Sequence, residues 1–423
     1  MKRLTDIFLL LCLVLAAVSC KDSGEERSHV LKVYNWADYI DEDVLAEFPA
    51  WYKQQTGEDI RLIYQVFDIN EIMLTKIERG HEDFDVVCPS EYIIERMLNI
   101  SPFIRRELNQ TSQPRRTTTD YAVPYMWGTA GILYNRNFIT PDEAGSWHCL
   151  WNPRNKGKIL MKDSYRDAYG TAIIYAHARQ LADSTVTVEQ LMNDNSPEAI
   201  ALAEKYLKAM KPNIAGWEAD FGKEMMTKNK TWLNLTWSGD AVWAIEEARA
   251  VGVDLAYEVP REGSNIWYDG WVIPKYAGNP KAAAYFINYL CRPDIALRNM
   301  DAIGYVSAVA TPEIMEAKRD TAIATRSDLS YFFGEGTGAD SLQINPVQYP
   351  DRKVVERCAM IRDFGNRTEL VLEMWSRVKG DNLNTGIVLL IFSVFGVLFV
   401  WLVYGKIRKY RQKQRRHRRR RRR

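Results

Sequence analysis

From residue 31 onward the chain alternates short apolar runs with stretches whose apolar residues recur every three to four positions, and few folds accommodate that alternation. Residues 31–34 read as a strand. Val44, Leu45, Phe48, Trp51 and Tyr52 follow the helical period and predict a helix from about 43 to 55. A strand at 60–66 leads into a helix that ends near Arg79, and a third strand covers 84–88. The pattern resumes with a strand at 158–161, helices from Ala168 and over 197–210, and a strand at 231–236. Strands alternating with helices predict an α/β protein with a parallel sheet covered on both faces.

Ligands of such sheets bind outside the carboxyl ends of the strands, and there this chain concentrates rings and carboxylates. Trp36, Asp38 and Tyr39 follow the first strand. The stretch 123–135, dense in glycine and aromatics, reads as a strand leaving one lobe for another. Residues 265–274 read as the return, with Asp269 bracketed by Trp267 and Trp271. A carboxylate among ring faces suits a cation: it accepts ammonium hydrogen bonds, and the rings add roughly 0.5–2 kcal/mol of cation–π attraction once water is excluded. Trp36 and Tyr39 suit an ordinary aromatic core equally well.

The net charge of +2 conceals a division. Of 56 Lys and Arg, 13 follow Tyr404, where there is no Asp or Glu, and residues 21–385 carry a net −12. An acidic body attracts cations and disfavours nucleic acid as a partner. Residues 1–20 read as an export signal, with Lys2 and Arg3 first, then an apolar run, then small residues before Cys20. The polar residues 21–29 read as a tether. Residues 386–404 are uncharged and apolar over the length of a transmembrane helix, and the basic residues 405–423 predict a cytoplasmic tail. Anionic lipid headgroups suit that tail better than RNA. Cys88, Cys149, Cys291 and Cys358 show no metal-site spacing and read as buried thiols. His81, His148 and His177 join no catalytic or ligating constellation, so no enzyme activity, metal or cofactor is expected.

Seven segments carry a resemblance: Asn35-Trp36-Ala37-Asp38-Tyr39-Ile40, Phe84-Asp85-Val86-Val87-Cys88-Pro89-Ser90, Val123-Pro124-Tyr125-Met126-Trp127-Gly128, Trp237-Ser238-Gly239-Asp240, Ile266-Trp267-Tyr268-Asp269, residues 285–294, and Ile303-Gly304-Tyr305. In this order, over about 30–380, the chain resembles the spermidine/putrescine-binding proteins of bacterial ABC importers. The resemblance implies a two-lobed periplasmic binding protein fold (type II) with the ligand in the interlobe cleft. Lobe 1 would take 30–135 and 269–312 and lobe 2 would take 136–268 and 313–380, with crossings near 134–135 and 267–269. Cys20, behind small residues, resembles the acylated cysteine of a bacterial lipoprotein.

A polyamine is a flexible apolar rod carrying ammonium groups, and burying such charges unpaired is costly. By family match the carboxylates are Asp38, Asp167, Asp240 and Asp269. Trp36, Tyr39, Trp237, Trp267 and Tyr305 would sandwich the methylenes, and Ser90 and Tyr92 would add hydroxyls. Asp38 also suits a turn, and Asp240 a helix N-cap. Ser164 stands where spermidine-preferring members have Asp, Asp167 where Glu is usual, and Ile361 where a ligand-contacting Gln is found, which leaves the choice of polyamine open. The expected role is an extracytoplasmic polyamine-binding protein, held at the inner membrane, that delivers its ligand to the permease subunits of an ABC importer. A membrane-anchored polyamine sensor is the alternative.

Overall fold

The structure is a computed structural model and describes residues 27–80, 82–100, 121–218, 221–380 and 393. The export signal, Cys20, most of the tether and the basic tail lie outside these residues, as does all of 386–404 except Ser393. Among the described residues no helix is long and apolar enough to cross a membrane. This corrects the fold expected above: the C-terminal transmembrane helix, and with it anchoring through that helix and a cytoplasmic tail, has no support among the described residues.

The chain opens with parallel strands Val30–Trp36 (β1), Arg61–Phe67 (β2) and Val86–Val87 (β3), in the spatial order β2-β1-β3. Helices Glu42–Thr56 (α1) and Asn70–Gly80 (α2) connect them, and Glu91–Ile100 (α3) follows. Helix α1 starts where the Asp41 carboxylate accepts the Asp43 N–H, and it ends at Gly57, whose φ of 76° glycine adopts without strain. A second parallel set contains Ile159–Lys162 (β5), Ile214–Glu218 (β6) and Leu233–Trp237 (β7), in the order β7-β5-β6. Its helices are Tyr165–Ala176 (α4), Pro197–Met210 (α5) and Ser238–Ala250 (α6).

Two long strands join the sets: Ala122–Asn135 (β4) and Ser264–Val272 (β9), with Leu255–Glu258 (β8) between them in sequence. Strand β9 runs antiparallel to β3 at Val87↔Val272 and to β4 from Ala122↔Val272 to Thr129↔Ile266. Beyond that point β4 changes partner and runs antiparallel to β7, from Ala130↔Trp237 onward, and to β8. The sheet is therefore mixed where the alternation pattern predicted a parallel one. Segments that cross between lobes in opposite directions are antiparallel to each other by necessity, and their pairing needs no crossover helix. The partner changes fall at Thr129–Ala130 and Asn265–Ile266, upstream of the crossings expected at 134–135 and 267–269.

Helices Pro280–Leu290 (α7) and Pro293–Ile303 (α8) return to the first set, followed by Val306–Ser307 (β10), paired with β4, and Cys358–Ala359 (β11), paired with β9. Leu31, Val33, Phe48, Trp271 and Phe286 form one core of the first set, while Phe84, Ile93 and Met97 belong to another. Residues 369–423 are a separate unit, of which the structure describes residues 369–380, most of the helix Thr368–Gly380, and Ser393.

Strand β4 is packed closely on both edges where it changes partner. A Cβ on Gly131 would lie 2.5 Å from the Tyr257 ring and 2.6 Å from the Glu258 carbonyl oxygen, and backbone cannot retreat cheaply. Gly131→Ala is expected to destabilise the fold by about 1–3 kcal/mol, read as a lowered midpoint in urea unfolding.

Candidate functional site

Asp269 shares one face of β9 with Asn265 and Trp267, because alternate strand residues point the same way. It is 5% exposed. Ser90 Oγ donates to its Oδ1 at 2.6 Å and Tyr39 Oη to its Oδ2 at 2.8 Å. Ser90 is in place because the chain beyond β3 forms a single backbone bridge with Asp269, and its Oγ in turn accepts from Asn70 Nδ2 at 3.0 Å. Burial pushes the Asp269 pKa from 3.8 to about 6, and the donors Ser90, Tyr39 and Trp36 draw it only partly back. No cation among the described residues offsets that charge. Glu91 is also held well above the carboxylate range, first by burial and then by Asp269.

Aromatic rings continue from this carboxylate. Tyr39 meets Tyr305 edge-on at 5.2 Å, Tyr305 meets Trp267 at 5.5 Å, and Trp267 meets Trp237 at 6.5 Å. Gly239 admits Tyr305, since a Cβ there would lie 2.3 Å from its ring. Trp36 packs tilted on Phe67 at 4.6 Å. The indole N–H of Trp267 has no hydrogen-bond partner among the described residues.

The second set of strands contributes two more carboxylates in different states. Asp167 lies in the first turn of α4, where its N–H donates to the N-cap Ser164 Oγ at 3.3 Å. Its carboxylate accepts from Trp237 Nε1 and Asn265 Nδ2, both at 3.2 Å. Asp240 lies in the first turn of α6 but does not cap it, because Trp237 is the N-cap and no side chain closes that end. Its Oδ2 instead accepts from Lys162 Nζ at 2.8 Å. Lys162 is 2% exposed, stands 3.3 Å from Glu218 Oε1 and lies 4.3 Å from the centre of the Trp237 ring. Burial raises the Glu218 pKa against the pull of Lys162.

The structure thus gathers Trp36, Tyr39, Ser90, Asp167, Trp237, Asp240, Trp267, Asp269 and Tyr305. Tyr92 stands at the margin: its hydroxyl accepts from Asn70 and donates to Glu71 Oε1, which Tyr165 of α4 reaches at 2.9 Å. Asp38 is not part of the cluster. It is exposed, adopts φ 49° in the turn after β1, and lines a cavity of about 790 Å³ beside Glu42, Arg61 and Tyr64. Lys162, Glu218, Asn265 and Glu71 escaped the sequence reading. The one available signal was Lys162, a charge closing the apolar run Ile159-Leu160-Met161. Among the described residues no group of His, Cys, Asp and Glu could hold a metal ion.

Residues 99–325, more than half of the chain, match the family described as bacterial extracellular solute-binding protein. The chain is 26% identical over 375 residues to the spermidine/putrescine-binding periplasmic protein of Escherichia coli, covering 86% of this chain and 95% of that one. It is 27% identical over 404 residues to a putrescine-binding periplasmic protein of Pseudomonas aeruginosa, covering 90% and 99%. Among solved structures, a spermidine/putrescine ABC transporter substrate-binding protein of Streptococcus pneumoniae superposes with a TM-score of 0.58 at 28% identity, over 83% of this chain and 99% of that one. The protein has the two-lobed architecture of these binding proteins and belongs to the bacterial extracellular solute-binding proteins.

Proposed function

We propose that the cleft captures a polyamine of the spermidine/putrescine class outside the cytoplasm and delivers it to the permease subunits of an ABC importer. The observation that carries this reading is Asp269: a buried carboxylate with neutral donors on both oxygens, rings beside it, and no cation among the described residues. Relatives named for polyamine binding support the ligand class. A family of solute-binding proteins favours delivery over the sensor, which also depended on a membrane span. The partner changes in β4 and β9 are the hinge about which the lobes close. The export signal brings the body across the membrane, and an acyl chain on Cys20 retains it there.

The pKa gives the site its driving force. The difference between 3.8 and about 6 corresponds to roughly 3 kcal/mol held against the ionised form of Asp269. Because the folded value is raised, this group favours the fold below its unfolded value, near pH 4, and that contribution is lost as pH rises through about 6. A ligand ammonium relieves the penalty. Asp269→Asn is accordingly expected to raise the melting temperature of the ligand-free protein at pH 7.5 while weakening polyamine binding at least tenfold. A lowered melting temperature would mean that the carboxylate stabilises the fold and is not poised for a ligand.

Calorimetric titration with putrescine, spermidine and a neutral diol of matched length tests the ligand class. One amine is expected to bind per chain, and the diol not at all; heat from the diol alone, or from none of the three, would end the polyamine reading. With Asp269 as the ammonium partner, affinity holds above pH about 6 and falls about tenfold for each pH unit below it. An affinity constant from pH 5 to 7.5 would remove Asp269 from that role.

A further inference from the structure

Resting on the polyamine reading, the geometry points to Lys162 as a built-in ammonium that fills one subsite of the cleft and leaves room for a ligand with only two charged nitrogens. Its surroundings are those a bound amine would require. Nζ is 2.8 Å from the Asp240 carboxylate, 3.3 Å from that of Glu218 and 4.3 Å from the centre of the Trp237 ring, and the side chain is buried. Trp237 is the same ring that donates to Asp167 and meets Trp267, so the lysine sits within the cluster.

Two carboxylates remain for an external amine. Among the described residues no cation meets Asp269, and Asp167 accepts from the neutral groups of Trp237 and Asn265. Asp167 is held at Asn265, four residues along β9 from Asp269, which is about 13 Å of extended strand with Trp267 midway. Asn265, which Asp167 meets, and Asp269 lie on one face of that strand. A four-carbon diamine, extended, separates its nitrogens by about 6 Å. A triamine is longer, and its third ammonium would need the carboxylates that Lys162 holds while meeting the like charge of Lys162 itself.

The test compares the full-length chain with Lys162→Met and Lys162→Arg by calorimetric titration with putrescine and spermidine. The unaltered protein is expected to bind putrescine at least tenfold tighter than spermidine. Lys162→Met should move that ratio at least tenfold toward spermidine, and Lys162→Arg, which keeps the charge, should retain the original preference. A ratio within threefold of the original in Lys162→Met overturns the proposal. Should Lys162→Met melt before titration, butylammonium decides: it should raise the melting temperature of this variant more than that of the unaltered chain, which offers it only the Asp269 side of the cleft, and equal shifts or none overturn the assignment. If the unaltered chain binds no polyamine, the polyamine reading fails, while the butylammonium measurement still reports whether Lys162 occupies an ammonium subsite.

Discussion

The antiparallel pairing of β4 with β9 is the constraint on which the rest of the molecule depends. Each parallel set of strands is built by helical crossovers and could form around its own core, but the two are joined because β4 pairs with β9 in its first half and with β7 in its second. That pairing also builds the site. Along β9 the pleat puts Asn265, Trp267 and Asp269 on one face, while the register of β4 carries the sheet on to β7, after which Trp237 and Asp240 begin α6. A one-residue slip would turn all three β9 side chains to the opposite face.

Around this frame the structure treats its carboxylates unequally. Asp240 and Glu218 share the ammonium of Lys162, which offsets part of the cost of their burial within the chain. Asp269 receives neutral donors and no cation among the described residues, and its raised pKa records what that arrangement costs. A protein selected for stability alone would pair or remove such a group. Retained beside Tyr39, Tyr305 and Trp267, it makes the ligand-free cleft electrostatically incomplete, which suits a protein whose task is to bind a cation and release it.

The local elements were largely legible in the sequence. The helix α1 follows from the period of Val44, Phe48 and Tyr52, all of which are buried, and α5 occupies the predicted residues. The expected strand at 84–88 pairs only at Val86–Val87, and the short strands β6 and β8 carried too little alternation to be recognised. Periodicity reports which face a residue occupies and says nothing of strand direction, so the antiparallel course of β4 and β9 was implied only by reading them as an outward crossing and its return. Most of the ring and carboxylate residues that the structure brings together around Asp269 were expected there from their place in ordered motifs. Asp38 was drawn in by the same motif, but the left-handed turn after β1 directs the chain elsewhere.

The sequence by itself determined most of the secondary-structure elements, since apolar period and residue type are local properties. Only the tertiary structure decided which charges meet. Lys162 and Asp240 are 78 positions apart, and Tyr39 and Asp269 are 230 apart. Whether a buried carboxylate finds an ammonium or only hydroxyls depends on strand order and register. Those are set by long-range packing, and they leave no periodic trace in the chain.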